Sequence, residues 1–227
     1  MESYKLFMNC RRLRHIKRCN NFSVINPTDV AQHSYFTTML AMLLIDEFNE
    51  YKGSNSSRAV DTELLLRKCL VHDFEEAFTS DIPYTVKHMS SEVSAGLSDG
   101  VDSCMRSLIG RYNSVMKSWD NYRRTCKNGV EGLIVAFCDM LELSLYCYEE
   151  LCIGNRSITP ILDNCNSYLD DLLSQVVMEL YDKDLNYLKE VGDLDRLLPS
   201  ISKLRQIVQR NESTNEYVLQ YFTVDIS

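Results

Sequence analysis

The chain has few of the residues that interrupt secondary structure, with 4 prolines and 8 glycines in 227 positions. Long apolar-periodic stretches separate them, which excludes a sheet of many short strands and predicts an all-α protein. Long hydrophobic runs are missing too. The longest strongly apolar stretch, Met39 to Ile45, is far short of the roughly 20 residues that cross a bilayer, so no membrane partner is expected. The opening Met1-Glu2-Ser3-Tyr4-Lys5 lacks a charged-then-apolar secretory pattern, and a cytoplasmic protein is the expectation. No two of the nine cysteines form a Cys-x-x-Cys pair, which excludes zinc knuckles and thioredoxin-type redox sites. Several lie at helical spacing among apolar residues, as free thiols in a reducing compartment do.

Positive charge is in deficit, with 24 Lys and Arg against 32 Asp and Glu and a formal net charge of −8. A polynucleotide partner, which needs a concentrated basic surface, is therefore not expected. One basic cluster exists, at Arg11, Arg12, Arg14, Lys17 and Arg18. With 45% apolar and 25% charged residues, the composition is that of a packed globular protein. The length suits a single domain over residues 1–227 whose core needs no staples.

The helices are expected as follows. A short one covers about Lys5 to Lys17. Asn26-Pro27-Thr28-Asp29 supplies cap residues, with Gln32 at capping-box distance from Asp29, for a helix reaching about Tyr51 whose inward stripe reads Phe36, Leu40, Leu43 and Leu44. Gly53 to Ser57 is a loop, and Asp61 to Phe78 is the next helix, with Leu65, Cys69 and His72 on one face and Pro83 ending the unit. Helical pieces interrupted by Gly96, Gly100 and Gly110 occupy Ser90 to Lys127. A strong helix follows Gly129 and ends at Gly154, with Val135, Ala136, Asp139, Leu143 and Cys147 on one face. Further helices are expected over Asn164 to Val191 and Ser200 to Arg210, and Tyr217 to Ile226 is a strand or a docked extension.

Histidine is scarce enough to enumerate, at positions 15, 33, 72 and 88. His72 and Asp73 are neighbours that can offer an imidazole nitrogen and a carboxylate oxygen to one ion. His33 lies on the apolar stripe of the preceding helix, and Asp139 on that of a third, between Ala136 and Leu143. A buried carboxylate needs a cation, a set of donors or a solvated cavity. Taken singly, each of these residues reads as a hydrogen-bonded core residue; taken together they read as a metal site. Glu76, one turn after His72, shares that face, and Asp81 and Lys87 follow in the loop region, where they also suit a loop cap and a surface lysine. Glu75 is one position off the face and reads as a solvated charge. His15 and His88 sit among polar and basic residues and read as surface positions.

In order and spacing, Arg18, then Gln32-His33-Ser34, then His72-Asp73-Phe74-Glu75-Glu76 through Thr79-Ser80-Asp81-Ile82-Pro83 to Val86-Lys87, then Ala136-Phe137-Cys138-Asp139 resemble the HD-domain phosphohydrolases, above all their bacterial and phage 5'-deoxynucleotidases. The resemblance covers about residues 5–152, and residues 155–227 match poorly and read as a helical extension and tail. It implies an all-helical HD fold in which His33, His72, Asp73 and Asp139 hold one divalent metal. It also implies that Arg18 binds the substrate phosphate, that Glu76 and Asp81 act as catalytic carboxylates on the water or the leaving sugar oxygen, that Lys87 adds positive charge, and that the protein is a homodimer. Two nitrogens and two oxygens with open positions suit Co, Mn, Zn, Ni or Fe on chemical grounds alone. Relatives commonly carry Trp directly after the phosphate-binding Arg, where it presses on the sugar. Cys19 takes that substrate-contact position here, which leaves deoxyribose selection open, and Ser80 replaces a usual Gly.

The resulting expectation is a metal-dependent phosphohydrolase that releases phosphate from 5'-(deoxy)nucleoside monophosphates by attack of metal-bound water. The alternatives are a dNTP triphosphohydrolase of the dATP type and a non-catalytic helical binding module that keeps the HD fold. Dinuclear HD enzymes need further histidine ligands, which His15 and His88 are poorly placed to supply.

Overall fold

The computed structural model describes residues 3–51, 60–87, 89–109, 113–125, 129–181, 196 and 198–209. The expected loop over Gly53 to Ser57, the tail from Tyr217 to Ile226 and His88 lie outside these residues. The elements are α1 (Ser3–Cys10), a 3-10 turn (Arg11–His15), α2 (Val30–Tyr51), α3 (Thr62–Val71), α4 (Glu76–Thr79), α5 (Tyr84–Lys87), α6 (Ser91–Ile109), α7 (Asn113–Thr125), α8 (Val130–Cys152), a second 3-10 turn (Arg156–Ile158), α9 (Thr159–Leu180) and α10 (Pro199–Gln209). No strand forms among the described residues, and one isolated antiparallel bridge joins Lys17 to Asp29. The fold is all-α, as expected.

Local chemistry sets the helix ends. Asp29 Oδ1 accepts from the Gln32 amide at 3.0 Å while Gln32 Oε1 accepts from the Asp29 amide at 3.2 Å, the reciprocal capping box that starts α2. Asp61 caps α3 by accepting from the Leu64 amide at 2.9 Å. At the far end of α8, Gly154 has φ +101° and the Asn155 amide reaches back to the Glu150 carbonyl at 2.9 Å, a Schellman closure that needs a residue free of a Cβ penalty. The first amides of α10 are satisfied from another helix: buried Glu47 of α2 accepts from Ser200 N at 2.7 Å and Ile201 N at 3.3 Å.

Packing divides into two apolar clusters. The larger gathers α2, α3, α8, α9 and α10 around Leu44, Phe48, Leu65, Ile134, Leu141, Leu169 and Ile201. The smaller holds Leu13, Val30, Phe74, Ala77, Val101, Met105, Met116 and Trp119, from the first 3-10 turn, the start of α2, the turn before α4, α4, α6 and α7. The two meet along the chain near His33, between Val30 and Leu40, and near His72, between Cys69 and Phe74. That seam is where the candidate site lies.

Some expectations need correction. The pieces expected to be interrupted at Gly96 and Gly100 form one helix, α6, running unbroken from Ser91 to Ile109. Phe36 is not on the inward stripe of α2 but 51% exposed, T-stacked on Tyr35; the buried face runs through His33, Thr37, Leu40, Ala41, Leu44 and Phe48. The expected helix from Asp61 to Phe78 breaks after Val71, where the amides of Phe74, Glu76 and Ala77 bond three residues back instead of four, making a tight turn before α4. The expected helix from Asn164 begins earlier, at Thr159 with Pro160 in its first turn, and is described to Leu180; residues 182–191 of that expectation lie outside the described ones.

Candidate active site

The N-terminal segment reaches the site because it doubles back on α2. Arg18 N donates to the Thr28 carbonyl at 3.2 Å, and Val30 N to the Ile16 carbonyl at 3.0 Å. Buried Glu150 of α8 accepts from the amides of Ile25 and Asn26 at 2.7 and 2.6 Å and from Asn155 Nδ2 at 2.6 Å, which fixes the outer end of the same strap. Arg18 is thereby held beside the start of α2, the helix that carries His33. The tight turn after α3 does the rest, for it lets two consecutive side chains, His72 and Asp73, face the same space, where a regular helix would splay them by about 100°.

Four donor atoms converge there. His33 Nε2 lies 2.9 Å from Asp139 Oδ1, 3.2 Å from His72 Nε2 and 3.6 Å from Asp73 Oδ2. His72 Nε2 lies 3.3 Å from Asp73 Oδ2 and 3.9 Å from Asp139 Oδ1. Metal bonds of about 2.0–2.2 Å put neighbouring donors roughly 2.8–3.6 Å apart; the donor atoms of His33, His72 and Asp73 all lie within 4.8 Å of one another, as a shared ion requires, and Asp139 joins that set through His33. The residue types fit as well, because two imidazoles and two carboxylates suit a borderline divalent cation. Both histidines are buried, whereas Asp73 and Asp139 stay partly exposed and leave an open side.

The electrostatics point the same way. Burial pulls the His72 pKa down, but Asp73 and Asp139 outweigh it and raise it to about 10. His33 is lowered by burial and by Arg18, yet its bonds to Asp139 and Glu142 leave it raised. Burial lifts Asp73, but His72 and Arg18 hold it well below the usual carboxylate range, and Asp139 is lowered by His33 in the same manner. The cluster therefore demands positive charge, and a metal ion entering it competes with protons.

Around this centre stand the remaining expected residues. Arg18 Nη1 lies 3.2 Å from Asp73 Oδ2 and Nη2 4.0 Å from Asp139 Oδ1, while its buried Nε has no hydrogen-bond partner. Glu76 is buried at the start of α4; its Oε1 meets Lys87 Nζ at 3.3 Å and its Oε2 has no partner. Burial, with Asp73 beside it, pushes Glu76 up to about 8. Asp81 Oδ2 accepts from the Cys19 amide at 3.2 Å, and the Asp81 carbonyl accepts from Asn20 Nδ2 at 2.9 Å, so the two rim segments brace each other. Both carry a left-handed residue, Cys19 at φ +52° and Ser80 at φ +61°. The Cys19 thiol is held below its ordinary pKa by a hydrogen bond with Cys147 and by Arg18.

Residues 5–185 match the family described as "5'-deoxynucleotidase YfbR-like". The chain belongs to that family. Solved structures agree on the fold: an HD-domain phosphohydrolase from Listeria innocua is 22% identical with a TM-score of 0.65, covering 92% of this chain and all of that one. The cyanophage S-2L HD phosphohydrolase DatZ, solved with dA and one catalytic Zn2+ ion, is 15% identical with a TM-score of 0.58, covering 91% of this chain and 97% of that one. A protein from Pyrococcus horikoshii is 18% identical with a TM-score of 0.59, covering 88% of this chain and 99% of its own. None of the curated proteins matches this chain. Family membership makes the protein a phosphohydrolase, and its fold is that of the HD-domain structures above. No helix among the described residues is long and apolar enough to cross a membrane.

Two residues depart from the sequence expectation. Glu75 is not a solvated charge: its Oε2 accepts from Trp119 Nε1 of α7 at 2.9 Å. Glu142 has no place in the sequence expectation, yet it is buried against His33 Nδ1. Its signal was present, since it lies one turn after Asp139 on a mostly apolar helix. Arg11, Arg12, Arg14 and His15 are exposed, and the first two cover Phe7 and Phe78 with their guanidinium groups.

Proposed function

We propose that this protein hydrolyses 5'-(deoxy)nucleoside monophosphates to nucleoside and phosphate with one divalent metal, of the Co, Mn, Zn, Ni or Fe group, held by His33, His72, Asp73 and Asp139. The observation that carries this reading is the guanidinium of Arg18 beside a His33–His72–Asp73 cluster of metal dimensions, with Asp139 against His33. A divalent ion there supplies Lewis-acid chemistry, polarising a phosphoryl oxygen and making water a better nucleophile near neutral pH.

The chain's own residues supply the rest. Arg18 presents a planar fork to two phosphoryl oxygens and counters their charge as the water oxygen bonds to phosphorus. The bond from phosphorus to the 5' oxygen breaks, and the leaving oxygen takes a proton. Glu76 is suited to that transfer, because Lys87 occupies one of its oxygens, the other is unpartnered, and its raised pKa keeps it able to hold a proton near neutrality. Asp81, tied to the Cys19 backbone, stands where it can meet the sugar or the attacking water. Cys19 is smaller than an aromatic ring and leaves room over the sugar for a ribo as well as a deoxy substrate. Among the described residues Arg18 pairs with the cluster and Lys87 with Glu76 beside it, which suits one phosphate better than a triphosphate tail.

The test is a panel of ribo and deoxy nucleoside mono-, di- and triphosphates with purified protein loaded with Co2+ or Mn2+. Inorganic phosphate released from monophosphates supports the reading, triphosphate released from a dNTP replaces it with the triphosphohydrolase alternative, and no turnover in any metal leaves the binding module.

A further inference from the structure

The two imidazoles of the donor cluster are anchored unequally. Each shows Nε2 to the cluster and turns Nδ1 outward. His72 Nδ1 donates to the carbonyl of Cys69 at 2.7 Å, a neutral acceptor within its own helix turn. His33 Nδ1 meets Oε2 of Glu142, a carboxylate carried by a different helix, in a place where the His33 side chain has no exposure and that of Glu142 only 10%. Glu142 follows Asp139 by three residues on α8, so a single helix face contributes one donor of the cluster and the anchor of another.

We infer that Glu142 is a positioning residue for the metal site: it accepts the Nδ1 proton of His33 and thereby keeps the Nε2 lone pair aimed at the cation. The inference rests on the metal-dependent reading above. A neutral imidazole has one N–H and one lone pair, and a carboxylate can only accept. With Glu142 on Nδ1 the proton belongs on Nδ1 and the lone pair on Nε2, which is the arrangement a ligand needs. A charge-assisted bond is also stronger than one to a carbonyl, makes the ring a better donor, and fixes its orientation across the α2–α8 contact. A buried glutamate that served packing alone would be replaceable by an apolar residue of similar size without loss to any ligand. The positioning role makes the opposite demand.

Two variants of the full-length protein decide this, E142Q and E142L, by titration with Co2+ followed through its visible absorption and without substrate. The wild type is expected to bind one ion, and each variant to bind it about 10–100-fold more weakly, with E142Q, which keeps an acceptor oxygen, the milder of the two. With metal raised to saturation, KM for the monophosphate substrate should return to the wild-type value. If E142L does not fold, E142Q alone carries the test. Variants that melt earlier yet keep the wild-type Co2+ dissociation constant and spectrum would overturn the inference and leave Glu142 a packing residue. A wild type that takes up no Co2+ would overturn the metal site itself and this inference with it.

Discussion

The donor side of the site and its rim are built on unlike backbone. His33 and Asp139 stand within α2 and α8, and His72 closes α3, with Asp73 in the tight turn that follows. The rim residues Arg18, Cys19, Asp81 and Lys87 come from loops and a single helical turn, two positions of which adopt left-handed backbone. The donor side is anchored by hydrogen bonds behind every imidazole, whereas the rim segments are tied to each other through Cys19 N, Asn20 Nδ2 and Asp81 and to the start of α2 by backbone bonds. A metal site tolerates little displacement, and long helices locked in a core supply that precision. Substrate contacts are placed on loops, where sequence can change without disturbing the core.

If that division holds, removing a donor should do more damage than removing any rim residue. Asp73→Ala takes away one of four donors and also a partner of Arg18, so stoichiometric metal should be lost and turnover should fall by about 10³-fold or more. Metal analysis of the purified variant with a phosphate-release assay measures both. Near-wild-type turnover in this variant would dismantle the site assignment.

On the rim, Arg18→Met should keep Co2+ affinity within a few-fold while kcat/KM falls about 10²–10³-fold, the cost of losing one charge-stabilising donor. Equal losses of metal and of turnover would erase the contrast between the two sides.

Glu76 lies between them, and its protonation can be read without substrate. Its carboxyl is pushed up to about 8, first by burial and then by Asp73, while an unfolded chain ionises glutamate near about 4.3. Between those values the native state keeps a proton that the unfolded state has released. The unfolded state binds fewer protons, so this group makes stability fall as pH rises. Gln cannot titrate, so metal-free E76Q should gain on the wild type in melting temperature from about pH 5 to pH 8, and parallel profiles would remove Glu76 from that role. In the loaded enzyme the same variant should retain metal and lose roughly 10²-fold in kcat.

The same contrast explains what could be read from sequence. His33 and Asp139 were found because a polar residue on an apolar stripe is visible in a 3.6-residue period. Phe36 misled that reading, since hydrophobic identity alone does not say which of two adjacent faces is buried; the lining of His33, Thr37 and Ala41 set the actual face. The tight turn after Val71 is not legible in the sequence, because one residue that anchors it, Glu75, is held by Trp119 from a helix over forty residues away. The bracing of Cys19 against Asp81 is equally non-local, 62 positions apart, and nothing in either segment announces it. Glu76 is legible from its spacing after His72, and Asp81 and Lys87 from the loop beyond it, whereas the role of Arg18 rests on the family resemblance; the geometry of all four comes only with the fold.

The smallest expected effect is on the rim backbone itself. Ser80 adopts φ +61° and ψ +173°, a region that glycine occupies freely and other residues only at a cost of about 1–3 kcal/mol. Its side chain is exposed, and the bond that fixes the turn, Ser80 N to the Glu76 carbonyl at 2.9 Å, is a backbone bond that glycine keeps. Against the relief of strain stands the extra freedom of glycine in the unfolded chain, about 0.5–1 kcal/mol. Ser80→Gly should therefore stabilise the protein by about 1 kcal/mol, a rise of roughly 2–4 °C in melting temperature for a domain of this size. No comparable gain is available on the donor side, where none of His33, His72, Asp73 and Asp139 has a positive φ. Melting at or below the wild-type temperature would mean that the turn around Ser80 is not strained, and that the rim differs from the donor side in its sequence freedom but not in its energetics.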